Sequence, residues 1–151
     1  MLDKKGNHMT KQALVPIADG SEEIEAVTII DVLRRAGVEV TVASVGVGKT
    51  KQITAARGTN IVADSFIADC ADKAWDLIAV PGGIEGADHL AASEILDQLL
   101  RSQAKQGKFY AAICAAPAVV LGSKGLLADK TATSHPRFYQ SLIAKEVDTE
   151  S

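Results

Sequence analysis

The chain has 151 residues, the length of a single domain with one hydrophobic core. Its formal net charge of -3 and aromatic content of 4% argue against nucleic acid or anionic lipid as a main partner. Its two distant cysteines form no zinc-ligand spacing and no apolar run reaches the roughly eighteen residues of a membrane span, so we expect no metal, no membrane association and a cytoplasmic location with reduced thiols.

The amino-terminal third of the chain predicts a strand, a helix and a second strand. An apolar run at 13–18 is typical of a buried strand, helical spacing of apolar residues follows at 22–36, and alternation at 38–43 indicates another strand. Ser21 is the expected N-cap of the helix. A strand, a helix and a strand in this order form a βαβ unit, which implies parallel pairing.

The remaining elements continue this alternation. Residues 53–68 are rich in strand-forming residues but irregular, and the run at 109–113 is wholly apolar, as in a strand covered on both faces. Further strands are predicted at 77–80 and 131–133, and helices at 93–106, 117–123 and 138–145. We therefore predict a doubly wound α/β sandwich with a mostly parallel sheet. It forms a single domain of residues 13–151 that follows a flexible tail of residues 1–12.

Cys114 is the predicted reactive centre. It follows a predicted strand, and functional sites of such sheets lie beyond the carboxyl ends of the strands. Its neighbours are alanines, which suit the tight turn of a nucleophile elbow, and Pro117 suits the first position of a helix. At a helix start the thiol is expected to have a depressed pKa, with backbone N–H groups nearby for an oxyanion. The alternative is a cysteine buried in the core.

Two further loops should open on the same edge of the sheet. Glu22, Glu23 and Glu25 lie in the first turn of the first helix, where a protonated carboxyl could donate a hydrogen bond to a thiolate, but spacing alone does not rank them. The loop 81–86 contains adjacent glycines with accessible amides and no phosphate-binding GxGxxG pattern, so no nucleotide is expected. His135, after a predicted strand, is either a general acid or base or a solvated loop residue.

Taken together, these motifs resemble the ThiJ/PfpI family, in the branch of the Parkinson-disease-associated protein deglycase and its bacterial homologues. The resemblance covers nearly the whole chain after residue 12, in the family's order. It is carried by residues 13–15, 20–27, 34–38, 80–83, 111–117 and 133–136.

The resemblance implies a flavodoxin-like fold, a homodimer and no cofactor. Cys114 matches the family's reactive, easily oxidised cysteine, Glu25 the protonated glutamate that hydrogen-bonds it, and His135 the nearby histidine. The amides of Gly83 and Ala115 match the donors to the oxyanion. Arg57 matches an arginine near the site or at the dimer contact, and Gly82 is expected at the edge of the site.

In one respect the sequence departs from the family pattern. Relatives continue past the position of Ser151 with a β-hairpin, a loop and a closing helix, a few elements of typical length that add up to roughly forty residues. Without this segment, we expect a sheet with one exposed edge and one uncovered face.

The resemblance implies two functions of different classes. The first is glyoxalase III or deglycase activity, in which the Cys114 thiolate attacks methylglyoxal or its early adducts with proteins, thiols or nucleotides. The second is an oxidative-stress sensor and redox-regulated chaperone, in which Cys114 is oxidised to a sulfinic acid. The expected partners are small reactive carbonyls or glycated protein side chains, and a second copy of the chain.

Overall fold

A computed structural model describes residues 10–46 and 50–150 of the chain. The α-helices are α1 (Glu23–Arg35), α2 (Ile84–Ala91) and α3 (Glu94–Lys105). The strands are β1 (Gln12–Ile17), β2 (Glu39–Ser44), β3 (Gln52–Thr54), β4 (Asn60–Val62), β5 (Ser65–Phe66), β6 (Leu77–Val80), β7 (Phe109–Ala112), β8 (Thr131–Ala132) and β9 (Glu146–Val147). Short helical turns lie at Ile67–Cys70, Pro117–Leu121, Gly122–Lys124 and Pro136–Ser141.

A five-stranded parallel sheet forms the centre of the domain. Its strand order is β5-β2-β1-β6-β7, with β3 and β4 as a separate antiparallel pair and β8 and β9 as a short parallel pair. The chain moves outward from β1 to β2 and then returns to the other side of β1 with β6. Such a reversal opens a crevice at the carboxyl ends of the strands. The predicted doubly wound α/β sandwich with a mostly parallel sheet is confirmed.

The sheet separates two apolar cores, and alternation along its strands decides which side chain enters which core. Leu14 and Val80 pack with α2 and α3 on one face, whereas Val15 and Ile17 pack with α1 on the other. All four side chains are fully buried. Burying an aliphatic side chain of this size stabilises a fold by about 1.5–3 kcal/mol, so these two cores hold the sheet edge that carries the site.

The helix α1 begins one residue later than predicted because another side chain caps it. The carboxylate of Glu22 accepts a hydrogen bond from the backbone N–H of Glu25 at 2.8 Å. The hydroxyl of Ser21, the predicted cap, instead accepts from the N–H of Ala18 at 3.0 Å and closes the turn after β1. Ser93 caps α3 as predicted, through a 3.2 Å hydrogen bond from the N–H of Leu96.

The first strand also begins earlier than predicted. Gln12 is its first residue, and the carbonyl oxygen of Lys11 accepts a hydrogen bond from the N–H of Glu39 at 2.9 Å. The predicted boundary of the tail at residue 12 therefore falls at the first residue of β1. Residues 1–9 of the predicted tail lie outside the described residues.

Three helices differ from their predictions. The eight-residue α2 has no counterpart in them. The segment predicted as an α-helix at 117–123 forms a short π-helix at Pro117–Leu121 and a 3₁₀ turn at Gly122–Lys124. The helix predicted at 138–145 is a 3₁₀ segment at Pro136–Ser141. After this segment Leu142 is extended and buried, so the chain leaves helical geometry to fill the core.

The edge strand β7 is exposed on one face. Within the described residues it pairs only with β6, and the side chains of Phe109 and Ile113 are 77% and 47% exposed. The expectation that this apolar strand is covered on both faces is therefore wrong. The exposed edge and uncovered face that we also expected are present here. In the described part of the chain, no helix has the length and apolar character needed to cross a membrane.

Candidate active site

Three loops meet at the carboxyl ends of the strands, as the sequence predicted. The N–H of Glu22, after β1, donates to the carbonyl oxygen of Gly82, after β6, at 3.0 Å. The N–H of His135 donates to the carbonyl oxygen of Cys114, after β7, at 2.8 Å. The first bond joins the loops after β1 and β6, and the second joins the turn at Cys114 to the segment of His135.

Cys114 is held in a strained backbone conformation. Its φ of 62° is the only positive φ outside glycine among the described residues. A left-handed conformation costs an L-residue about 1–2 kcal/mol. Ala115 and Ala116, which follow it, are fully buried, so small side chains are needed directly after the turn. Cys114 is itself only partly buried and packs against the core from a sharp turn after β7, a geometry similar to that of a nucleophile elbow.

Glu25 is the carboxyl group beside Cys114. Its Oε2 accepts a hydrogen bond from the N–H of Gly82 at 2.7 Å. A Cβ atom added to Gly82 would lie 2.6 Å from Cβ of Cys114 and 2.8 Å from Oε2 of Glu25. Gly82 thus lies between the side chains of Glu25 and Cys114. A larger residue would fit there only if one of these two side chains moved.

The other two glutamates of this turn have different partners. Glu22 caps α1. Glu23 accepts hydrogen bonds from the N–H of Arg57 at 3.0 and 3.2 Å. The choice among the three carboxylates, which spacing left open, is therefore made by geometry, and Glu25 is the one that meets the thiol.

Burial raises the pKa of the Cys114 thiol, and the side chain of Glu25 raises it further through its hydrogen bond and its charge. The N–H groups of Gly83 and Ala115 face the sulfur and lower the pKa, but they do not outweigh the other two causes. The predicted depressed pKa of the Cys114 thiol is therefore wrong. Burial, the largest cause, favours the neutral thiol over the thiolate.

His135 reaches the site through its backbone and its ring. Its Nδ1 accepts a hydrogen bond from the N–H of Arg137 at 3.3 Å, so Nε2 is the ring nitrogen not engaged by this backbone contact. The ring also meets Phe138 edge-on, with centroids 6.4 Å apart. His135 and Cys114 line the same pocket, but no hydrogen bond joins the imidazole to the sulfur or to Glu25.

The pocket over Cys114 has a volume of about 440 Å³. Arg57, predicted at the edge of the site, lines it together with Gly83. Sequence reasoning missed Ile84, Arg137 and Phe138, which also line it. The last two directly follow the His-Pro pair, so the predicted position of His135 was the signal that could have found them. In the residues described, no group of three His, Cys, Asp or Glu side chains could hold a metal ion.

The fold is that of a flavodoxin-like α/β domain, with Cys114 at a sharp turn beyond the carboxyl end of β7. The DJ-1/PfpI family matches residues 11–150, and the chain belongs to this family. The family predicted from the motifs is thereby confirmed.

Three relatives show the extent of the similarity. "Protein DJ-1 homolog B" of Arabidopsis thaliana is 47% identical over 133 residues, which are 88% of this chain and 30% of that protein. A Caenorhabditis elegans protein named glutathione-independent glyoxalase DJR-1.2 is 36% identical over 121 residues, 80% of this chain and 62% of that protein. The structure of oxidized Toxoplasma gondii DJ-1 superposes with a TM-score of 0.86 at 44% identity, covering 92% of this chain and 74% of that one. The chain thus spans about a third of the plant relative.

Proposed function

We propose that the chain is a cysteine enzyme that converts α-oxoaldehydes such as methylglyoxal into 2-hydroxy acids through a covalent intermediate on Cys114. The observation that carries this proposal is the strained Cys114, whose sulfur faces the amides of Gly83 and Ala115 and the carboxyl group of Glu25. Addition to a carbonyl requires a nucleophile, a proton acceptor and oxyanion donors. The glyoxalase name of the nematode relative supports the same reaction class.

In the first step, the thiol of Cys114 adds to the aldehyde carbon of the substrate. The S–H proton passes to the carboxylate of Glu25 as the S–C bond forms. The former aldehyde oxygen carries the negative charge and accepts hydrogen bonds from the N–H groups of Gly83 and Ala115. Return of the proton to this oxygen gives a hemithioacetal. The attacking form is therefore the thiolate, and Glu25 holds the proton until it passes to the substrate oxygen.

In the second step, the hemithioacetal isomerises to a thioester. The hydrogen on the former aldehyde carbon leaves as a proton, and a proton is added to the neighbouring carbon, by way of an enediol. Glu25 or Nε2 of His135 transfers this proton. Water then attacks the thioester, which releases the 2-hydroxy acid and regenerates the thiol. The sum is one oxoaldehyde plus one water to one hydroxy acid, with one carbon oxidised and its neighbour reduced, and these steps need no cofactor.

Lactate formation from methylglyoxal tests the proposal. The wild type and Cys70→Ala should both produce lactate, because Cys70 lies in the core away from the pocket. In Cys114→Ala the rate should fall by about a thousandfold or more, since removing a nucleophile disables the whole catalytic group. Equal rates in Cys114→Ala and the wild type would reject the enzyme.

Early adducts of methylglyoxal with amino groups or thiols are the second substrate class of the proposal. Such an adduct keeps an oxidisable carbon next to a carbonyl, so it can enter the same two steps once Cys114 displaces the adduct's amine or thiol. Release of free N-acetylcysteine from its methylglyoxal adduct should be faster with enzyme than the spontaneous breakdown of the adduct. If added enzyme only removes free methylglyoxal, the deglycase part of the proposal fails.

A sensor of oxidative stress is the second candidate function. Supporting it, Cys114 is only partly buried and has acid and amide groups that can hydrogen-bond a sulfinate. The Toxoplasma gondii relative was solved in an oxidized form. Peroxide treatment followed by peptide mass spectrometry should then show two added oxygens on Cys114 and none on Cys70. Selective oxidation that alters the aggregation of client proteins, in a protein without lactate formation, would favour the sensor and chaperone over the enzyme.

The proposal also includes a homodimer and a cytoplasmic location. Apolar side chains on α1 and β4 are exposed, among them Ile24 at 72%, Val27 at 51% and Val62 at 69%. A second copy would cover this surface. Light scattering should give twice the mass of the chain, and Val27→Glu should give the single mass. Both described cysteines are free thiols, in keeping with a reducing compartment.

A further inference from the structure

Arg137 lies in the pocket of Cys114 although its side chain has no role in the steps above. A short series of hydrogen bonds fixes its backbone there. The N–H of Arg137 donates to Nδ1 of His135 at 3.3 Å, and the N–H of His135 donates to the carbonyl oxygen of Cys114 at 2.8 Å. The position of Arg137 is therefore coupled to that of the nucleophile through one intervening residue.

The pocket also contains a second arginine on another loop. The N–H of Arg57 is held by the carboxylate of Glu23 at 3.0 and 3.2 Å. Across residues 10–46 and 50–150, neither Arg57 nor Arg137 forms an ion pair with a carboxylate. The guanidinium of Arg57 donates to the carbonyl oxygen of Ala56 at 3.3 Å. Both arginine side chains thus line the pocket without a carboxylate partner among the described residues.

Two carboxylates line the same pocket, and their roles differ. Glu22 caps α1 through Oε2, which accepts a backbone N–H. Glu85 is exposed in the first turn of α2, and its charge, like that of Glu22, opposes an anion. Ile84 and Phe138 add apolar surface to the pocket. A ligand that fits has an aldehyde near the sulfur, a short apolar part and a negative charge near Arg137.

We propose that Arg137 is a specificity-determining residue that favours α-oxoaldehydes bearing a carboxylate a few bonds from the aldehyde. The planar fork of a guanidinium matches a carboxylate, and such charge-assisted hydrogen bonds are stronger than neutral ones. This inference rests on the proposed function for its substrate class. The recognition of an anion beside Cys114 is tested separately, without turnover.

Iodoacetate and iodoacetamide test that recognition, because they differ only in a carboxylate against an amide. Peptide mass spectrometry gives the rate at which each reagent alkylates Cys114. Arg137→Gln should lower the iodoacetate-to-iodoacetamide rate ratio about fivefold at low salt, as expected for one partly solvated charge pair. Glu85→Gln should raise this ratio, and Arg101→Gln, on the exposed face of α3, is the matched control that should leave it unchanged.

High salt and a conservative variant sharpen the alkylation test. The effect of Arg137→Gln should shrink as ionic strength rises from about 0.01 M to about 1 M, because screening shortens the range of the charge from roughly 30 Å to 3 Å. Arg137→Lys should retain part of the wild-type ratio. If Arg137→Gln leaves the ratio unchanged, or slows both reagents equally, the anion site is rejected.

Substrate selectivity is the second arm. The ratio of kcat/KM for 4,5-dioxopentanoate to that for neutral 2-oxopentanal should fall about fivefold in Arg137→Gln, by the same charge-pair argument. If the wild type turns over both aldehydes and this ratio is unchanged in the variant, the specificity role is overturned and the proposed function stands. If the wild type turns over neither, the enzyme and the substrate class fail together, whereas a changed alkylation ratio still supports anion recognition by Arg137.

Discussion

Cys70 and Cys114 are two thiols in one small domain, and burial raises the pKa of both. Cys70 is fully buried at the end of a 3₁₀ turn and belongs to the core beside Trp75. Cys114 stands on a strained backbone at the carboxyl end of a strand, next to a carboxyl group and two amide donors. The effect of burial on the thiol pKa therefore does not distinguish the two cysteines. Cys114 differs from Cys70 because a carboxyl group that can exchange a proton with the thiol lies beside it.

Among variants that keep both thiols, the removal of the proton acceptor of Cys114 should have the greatest effect. Glu25→Gln keeps the shape of the side chain but cannot take the thiol proton, so kcat/KM for methylglyoxal should fall about a hundredfold, the lower range for general acid–base groups. Glu23→Gln is the matched control, since Glu23 binds the N–H of Arg57 instead. Wild-type kinetics in Glu25→Gln would show that Glu25 is not the proton acceptor of Cys114, and the proposed difference between Cys114 and Cys70 would then be wrong.

Next in size is the effect of filling the space between Glu25 and Cys114. In Gly82→Ala the new Cβ would lie 2.6 Å from Cβ of Cys114, so one of the two functional side chains must move. Overpacking of this kind destabilises a protein by about 1–3 kcal/mol, measured by urea unfolding, and lactate formation should decline with it. Gly107→Ala adds a Cβ that meets nothing within 4 Å and should lose stability through its positive φ without loss of turnover per folded molecule. Full activity in a folded Gly82→Ala protein would show that the close packing of Glu25 against Cys114 is not needed for turnover.

A smaller effect is expected for His135, because its ring makes no hydrogen bond to the sulfur. Asparagine can keep the acceptor for the N–H of Arg137 and removes the nitrogen that transfers protons. His135→Asn should therefore reduce kcat by about tenfold or less, below the usual range for a general base in direct contact. A loss as large as that of Glu25→Gln would make His135 the main base of the site.

The smallest effect concerns Cys70 and the pH dependence of stability. Because the pKa of the Cys70 thiol is raised above its ordinary 9.0 by burial, the unfolded chain loses this proton at a lower pH than the folded chain does. The free energy of unfolding of the wild type, relative to Cys70→Ala, should therefore decrease as pH rises above 9.0, by at most about 1.4 kcal/mol per pH unit. Urea unfolding at several alkaline pH values measures this difference, and a constant difference would contradict the burial argument.

The sequence predicted the regular part of the fold better than the irregular part. Continuous apolar runs gave the strand at Leu77–Val80 without error, because burial on both faces leaves a direct trace in the sequence. The segment after Cys114 was predicted as two helices and forms short turns instead. Its backbone follows the core contacts of Leu142 and the hydrogen bond from His135 to Cys114, which local propensity does not encode.

The sequence pointed to part of the candidate site, but it missed Ile84, Arg137 and Phe138 and the electrostatics of the pocket. Cys114 could be found from its alanine neighbours and Pro117, whereas the choice of Glu25 needed either the resemblance or the position of Gly82. The direction of the thiol pKa shift was missed because it depends on how deeply the sulfur is buried and on the charge beside it. A helix start alone, in a turn as short as Pro117–Leu121, does not outweigh those two effects.

Trapping of the intermediate tests whether Cys114 forms a covalent bond with its substrate. Enzyme mixed with excess methylglyoxal is quenched in acid after short times, and the masses of the peptides that contain Cys114 and Cys70 are measured. We expect the Cys114 peptide to gain the mass of one methylglyoxal early in turnover, while the Cys70 peptide is unchanged. Steady lactate formation with an unmodified Cys114 peptide at every time point would contradict this expectation.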